Sequence, residues 1–241
     1  MIDLLLNHVS IRKYKDKEVS KEVVDTIVAC AQMAPTSSHL QTYTIIEVKD
    51  KEKRKTLAEI AGGQKWVLEA PLALLFCADL HRGQKYIPVT NKEVFHNTDL
   101  FTVAVTDTAL AAQKALIAAQ VLGLGGVFVG GIRNDIESVH KLFALPALTA
   151  PLFLLCLGYP DENPGLKPRL PREVVHKVDY YDTERDDELL ANYDAEVRQY
   201  YQARTNGEID DKWTERCGKA ISAKERNHVG YFLREIGFLQ K

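Results

Sequence analysis

The run 103–122, VAVTDTALAAQKALIAAQVL, restricts this chain more than any other segment. It is close to the roughly 20 residues a helix needs to cross a bilayer. Yet it carries Asp107, Gln113, Lys114 and Gln120, and a charge at the bilayer centre costs about 2.5–3.5 kcal/mol on insertion scales. The run therefore reads as a soluble helix over about 99–122. Being apolar nearly all round, it is expected to be enclosed on every side, and its alanines admit another backbone at close range. Asp107 reads as a buried, hydrogen-bonded structural carboxylate rather than an acid or base.

Around this helix the sequence alternates strand and helix signals. LALLFCAD (72–79) and PLFLLCLG (151–158) are continuous apolar runs, the pattern of strands covered on both faces. TYTIIEVK (42–49) and GVFVG (126–130) read as further strands. SKEVVDTIVACAQMA is a helix capped by Ser20, and DKEKRKTLAEIAGG is a helix closed by Gly62. NDIESVHKLFAL is a helix with Asn134 as its N-cap. Residues 81–97 are polar and irregular, as in a surface loop or lid. From Pro160 the chain turns proline-rich, and two more helices follow with too little apolar patterning for a core of their own. These signals give an α+β or α/β sandwich, with a core over 1–160 and an extension over 161–241 that wraps the body or a second subunit.

A formal net charge of −2 over 241 residues offers no bulk attraction to nucleic acid or an anionic membrane. Cys30, Cys77 and Cys156 stand in apolar surroundings and read as buried, reduced thiols. MIDLLLNHVS lacks the basic start of a signal peptide, so a cytoplasmic protein is expected.

GLGGVFVGG (123–131) has the glycine density of a phosphate-cradling loop. A dinucleotide fingerprint, however, runs strand, GxGxxG, helix. Here a helix precedes the glycines, a strand follows them, and Phe128 stands where the third glycine belongs. Gly123 reads as a helix C′ residue, with Gly125 and Gly126 turning into the strand. Gly130 and Gly131 mark either a strand-end turn or a place where a flat ligand approaches bare backbone.

Two segments gather positive charge on constrained backbone. In HVSIRKY (8–14), an extended course turns His8, Ser10 and Arg12 to one side. In LKPRLPR (166–172), prolines hold Lys167 and Arg169 on a stiff backbone. Charge plus several donors is what a phosphate monoester requires. There is no GxSxG, HExxH or P-loop, and the histidines lack zinc-like spacing.

Taken together, HVSIRKY, PTSSHLQ, AGGQKWV, LGLGGVFVGGIRN, LKPRLP, YDAEVRQYYQARTNG and KW resemble, in order and spacing, the FMN-dependent nitroreductase/flavin reductase family. The closer likeness is to its branch of major oxygen-insensitive NADPH nitroreductases and NADPH–flavin oxidoreductases, and it spans essentially the whole chain. The resemblance implies an α+β, nitroreductase-like sandwich with a central mixed β-sheet flanked by helices. It also implies a homodimer whose C-terminal extension wraps the partner. It implies FMN held by His8, Ser10 and Arg12, with Lys167 and Arg169 completing the phosphate site. Ser37, Ser38 and Gln64 would contact the flavin or its ribityl chain, the serines from the other subunit. The Val129, Gly130 and Gly131 backbone would lie beside the ring. NADPH or NADH is the implied co-substrate, and nitroaromatics, quinones or free flavins are the implied acceptors, in a ping-pong exchange carried by the cofactor.

Two departures stand out. Val9 replaces an arginine of the family motif, which is expected to weaken FMN binding. Arg204 is kept as a nicotinamide-binding residue, but Glu208, Asp210 and Asp211 follow it where the resemblance implies a basic cluster for the 2′-phosphate. Their repulsion would favour NADH. A dedicated flavin reductase and a non-catalytic flavin-binding protein are the rival readings.

Overall fold

Apolar runs without a polar face are buried throughout whichever structure they adopt, and here 72–79 and 149–158 form the middle of a sheet. The computed structural model describes residues 1–241. In chain order the elements are α1 (Ile2–Leu6), α2 (Lys21–Gln32), β1 (Tyr43–Glu47), α3 (Lys51–Ile60), α4 (Lys65–Glu69), β2 (Leu72–Asp79), α5 (His81–Tyr86), α6 (Thr98–Val121), β3 (Gly125–Val129), α7 (Ile136–Leu142) and β4 (Thr149–Gly158), then α8 (Arg172–Val175), α9 (Asp186–Arg204), α10 (Trp213–Ser222) and α11 (Asn227–Glu235). Packing divides them into two units. One comprises Met1–Pro164 with Arg226–Lys241, and the other Gly165–Glu225.

In the first unit the sheet order is β1-β2-β4-β3. The resemblance implies a mixed sheet, but every pairing within the chain is antiparallel. Side chains alternate across it with the two-residue period of a strand. Leu72, Leu74 and Phe76 pack with Ile27, Ala31, Ala115 and Leu116 of α2 and α6. Ala73, Leu75 and Cys77 pack with Leu57, Ala58 and Val67 of α3 and α4. The product is an α+β sandwich of three layers. Pro151 lies inside β4, where it cannot donate to the ladder, and the register slips there: Phe76 faces Phe153 while Cys77 faces Pro151. A bulge is where a proline is tolerated in a central strand.

α6 begins at Asn97, whose side chain accepts from the Leu100 N–H at 2.7 Å, and ends before Gly123 at φ 83°. Its Ala104, Ala111, Ala112, Ala115 and Ala119 are buried against the sheet and α2. The expectation of a helix enclosed on every side is corrected within one chain, because Leu110 is 41 % and Val121 60 % exposed on the opposite face. Asn97→Ala removes a cap and should cost about 1 kcal/mol, a fall of roughly 2–4 °C in Tm by calorimetry.

Four further expectations are corrected. Asp135, not Asn134, caps α7, its carboxylate accepting from Ser138 N–H at 3.0 Å. Asn134 instead donates to the Ile60 carbonyl and accepts from Arg226. Gly125 and Gly126 lie inside β3 rather than in a turn. Residues 81–97 are not irregular: α5 is followed by a 3-10 turn, Lys92–His96, anchored by buried Phe95. Cys77 and Cys156 are buried, but Cys30 only partly.

α11 closes the sequence stretch 161–241, yet it packs in the first unit. Leu233 and Phe238 join Ala78, Leu80, Leu148 and Ala150 at one end of the sheet. The second unit contains α8, α9 and α10, with Tyr193 and Val197 buried and Tyr193 edge-on to Trp213.

Candidate flavin site

The HVSIRKY segment is fixed by backbone bonds. Ile11 N–H donates to the Gly126 carbonyl at 3.0 Å, and Lys15 N–H to Tyr159 at 2.9 Å. Ile11 is buried on the space that a side chain at Gly125 would need, so that glycine lets the segment lie on β3. The Tyr14 hydroxyl donates toward the Ile11 carbonyl, 2.9 Å away, and burial pushes it well above the usual phenol range. One oxygen of Glu162 accepts from the N–H groups of both Arg12 and Lys13.

These restraints leave Arg12 exposed, with its guanidinium over the Trp66 ring at 5.5 Å from the centroid. His8 is half-buried, its Nδ1 3.2 Å from the Gln120 amide nitrogen. Gln64, two residues before Trp66, donates to the Ala61 carbonyl at 2.9 Å. Ala61 in turn packs on Gly131, filling the space a Cβ there would take. The place of a Cβ at Gly130 is taken by the Arg133 guanidinium, at 3.0 Å. Burial is the main cause holding that guanidinium below its ordinary pKa, with Arg226 adding to it. The missing side chains of both glycines are thus explained by packing, and what they offer a ligand is main-chain N–H. A 3-10 turn starts at Gly130 directly after Val129, and the first N–H groups of such a turn have no acceptor inside it.

Arg12 thus meets Trp66, two residues after Gln64, and Gln64 reaches Ala61, which packs on Gly131 beside Gly130; Ser10 and half-buried Val9 lie on the Arg12 segment. Ser37 and Ser38 are elsewhere. Ser37 N–H bonds Asp107, whereas His8 meets Gln120, thirteen residues further along α6. At 1.5 Å per residue that is roughly 20 Å of helix, so one chain does not bring the serines to His8. Asp107 is buried and hydrogen-bonded, as its surroundings in the sequence suggest.

Lys167, Arg169 and Arg204 belong to the second unit. A cavity of about 890 Å³ there is lined by Lys167, Arg169, Tyr193, Tyr201, Trp213 and Arg216 among others. The Tyr193 hydroxyl donates to the Pro168 carbonyl at 3.1 Å, fixing the KPR backbone. Burial raises the Tyr201 pKa, but Lys167 and Arg216 outweigh it and hold the phenol below its ordinary value. Arg204 ends α9 and donates to the Tyr200 hydroxyl at 2.6 Å.

Two of the three tail carboxylates are paired. Asp210 forms a two-pronged pair with Arg198 and accepts from Gln202. Asp211 pairs with Arg216 and Lys219. Both acids are held below the usual carboxylate range, chiefly by hydrogen bonds from Arg198 and Lys219 respectively. The expected repulsion rested on uncompensated charges, so its premise is corrected for these two residues.

Trp66 and Glu162, which contact Arg12, were not singled out by motif reading. The indole Nε1 of Trp66 is buried without a hydrogen-bond partner. A tryptophan two residues after Gln64 was the available signal, while nothing local links Glu162 to Arg12.

Fold and site together define an α+β sandwich with cationic and main-chain donors gathered beside one sheet edge. The Nitroreductase family model matches residues 5–159, and that for the Nitroreductase family C-terminal domain matches 167–241; the chain belongs to the nitroreductase family. It is 40% identical over 238 residues to the oxygen-insensitive NADPH nitroreductase of Salmonella typhimurium, covering 98% of this chain and 97% of that one. It is 38% identical over 242 residues to the FMN reductase (NADPH) of Bacillus subtilis, with 98% and 97% covered. The solved structure of the NfrA1 nitroreductase from B. subtilis superposes with a TM-score of 0.95 at 37% identity, over 100% of this chain and 99% of that one.

Proposed function

We propose that this protein is an FMN-dependent NAD(P)H oxidoreductase that reduces nitroaromatics, quinones or free flavins. The observation that carries the reading is the fixed HVSIRKY segment, which presents Arg12 over Trp66 beside Gln64 and the Gly130–Gly131 turn. These groups fit the cofactor: they are donors and cations, and the buried indole N–H of Trp66 lacks an acceptor within the chain. FMN bound there would supply hydride and two-electron transfer between nicotinamide and acceptor.

The protein's own residues bind and orient. His8, Ser10 and Arg12 neutralise and hold the phosphate through charge-assisted bonds. Gln64 serves the ribityl chain or ring edge, and the Val129–Gly130–Gly131 main chain offers N–H groups to the ring. Ser37 and Ser38 act from a second copy. The apolar face of α6, with Leu110 and Val121 exposed, supports a homodimer, and the buried thiols are compatible with the cytoplasm. The test is the visible spectrum of the purified protein. Flavin bands near about 370 and 450 nm should be present, and anaerobic NADPH should bleach them. A colourless protein that takes up no added FMN would refute the reading.

Arg204 faces the 2′-phosphate in this reading, and the ion pairs of Asp210 and Asp211 remove much of the bias toward NADH. Arg204→Ala should raise KM for NADPH about tenfold, the lower end of a charged hydrogen bond at an exposed position. KM for NADH should stay within about twofold. Equal effects on both nicotinamides in steady-state kinetics would remove Arg204 from the phosphate.

A further inference from the structure

The loop that carries Ser37 and Ser38 follows a course its sequence does not favour. Ser38, His39 and Gln41 have φ of 48°, 58° and 54°, a left-handed region unfavourable for residues with a Cβ. The loop contains no glycine to ease this. Three such residues in four positions persist only where the surroundings enforce them.

The main enforcement comes from one side chain. Asp107, 1% exposed in the middle of α6, accepts the Ser37 N–H on Oδ1 at 3.1 Å. On Oδ2 it accepts the Thr42 N–H at 3.2 Å and the Thr42 hydroxyl at 2.8 Å. A single carboxylate thus ties the entry of the loop to its exit, and its three donors offset the cost of burying the charge. Arg82 adds a weaker tether, 3.3 Å from the Gln41 carbonyl.

We infer that Asp107 is a positioning residue: it clamps residues 37–42 in their left-handed course and thereby sets Ser37 and Ser38 for the flavin. The inference rests on the reading of those serines as cofactor contacts. Asp107 does not touch the cofactor itself and exchanges no proton.

Asp107→Asn tests it, because the amide keeps the shape but replaces one acceptor by an NH₂ group. Whichever position that group takes, it meets an N–H donor. In the full-length protein, hydrogen exchange over 36–43 should quicken by about tenfold or more, and the FMN dissociation constant, from flavin fluorescence, should rise about tenfold. Thr108→Val is the control. Thr108 is the next residue, fully buried, and its hydroxyl donates to the Ala104 carbonyl. It should lower Tm without moving either readout. Unchanged exchange in Asp107→Asn, or equal loss of FMN in Thr108→Val, overturns the clamp. Faster exchange with unchanged FMN affinity leaves the clamp standing and overturns the assignment of the serines to the flavin.

Discussion

Arg12→Ala protein will fold as well as the parent and lose its flavin. Arg12 is exposed, and its side chain stacks on Trp66, so its removal should change stability by no more than about 0.5 kcal/mol. A charge-assisted hydrogen bond is worth about 1.5–3 kcal/mol, which converts to a roughly 10–150-fold rise in the FMN dissociation constant. Melting temperatures must be compared on flavin-free protein, because bound cofactor itself stabilises the fold by mass action. Arg12→Lys should fall between the two, since an ammonium keeps the charge and loses the planar fork. An Arg12→Ala protein as yellow as the parent after dialysis would place the phosphate elsewhere.

The second large effect concerns a glycine with no part in the chemistry. A Cβ at Gly126 would overlap the Cys156 carbonyl oxygen and the Leu157 side chain on the neighbouring strand. Backbone cannot yield there without opening the β3–β4 ladder, so Gly126→Ala should cost about 3 kcal/mol or more. Thermal unfolding should show a fall of roughly 6–12 °C or insoluble protein. Gly218 is the contrast. It lies inside α10 with nothing within 4 Å of where a Cβ would stand, and Gly218→Ala should stabilise that helix by about 0.5–1 kcal/mol. Two Gly→Ala changes of opposite sign separate close packing from backbone entropy. A neutral Gly126→Ala would show that the strands have room to separate.

The sequence revealed most where the signal was periodic or composite. β2 and β4 were legible because eight-residue apolar runs have few other fates, and α6 because Asp107 and Lys114 argue against a membrane. The candidate-site residues stood out only as a set: His8, Ser10, Arg12 and Gln64 have no individual signature, and their order and spacing carried the resemblance. Gly125 and Gly126 were misread as a turn because a glycine in a strand contributes nothing to a two-residue period. The choice between Asn134 and Asp135 as cap turned on which side chain folds back onto Ser138, and adjacent residues with equal capping propensity do not show that. The left-handed loop at 38–41 was illegible because its cause, Asp107, lies far along the chain. The balance of charge around Asp210 and Asp211 was hidden similarly, since Arg198 and Lys219 are neighbours only after α9 and α10 form.

The return of 226–241 to the first unit has a consequence for biosynthesis. Ala78, Leu80, Leu148 and Ala150 are covered in part by Leu233 and Phe238, and all of Gly165–Glu225 is translated between them. A nascent chain emerging from the ribosome can form β2 and β4 early, but this end of its sheet stays open until Leu233 and Phe238 have emerged. Such late, sequence-distant closure slows folding and prolongs exposure of apolar surface. Premature termination before Leu233 would therefore leave a nearly complete protein with an uncapped core, the kind of product that chaperones and proteases intercept.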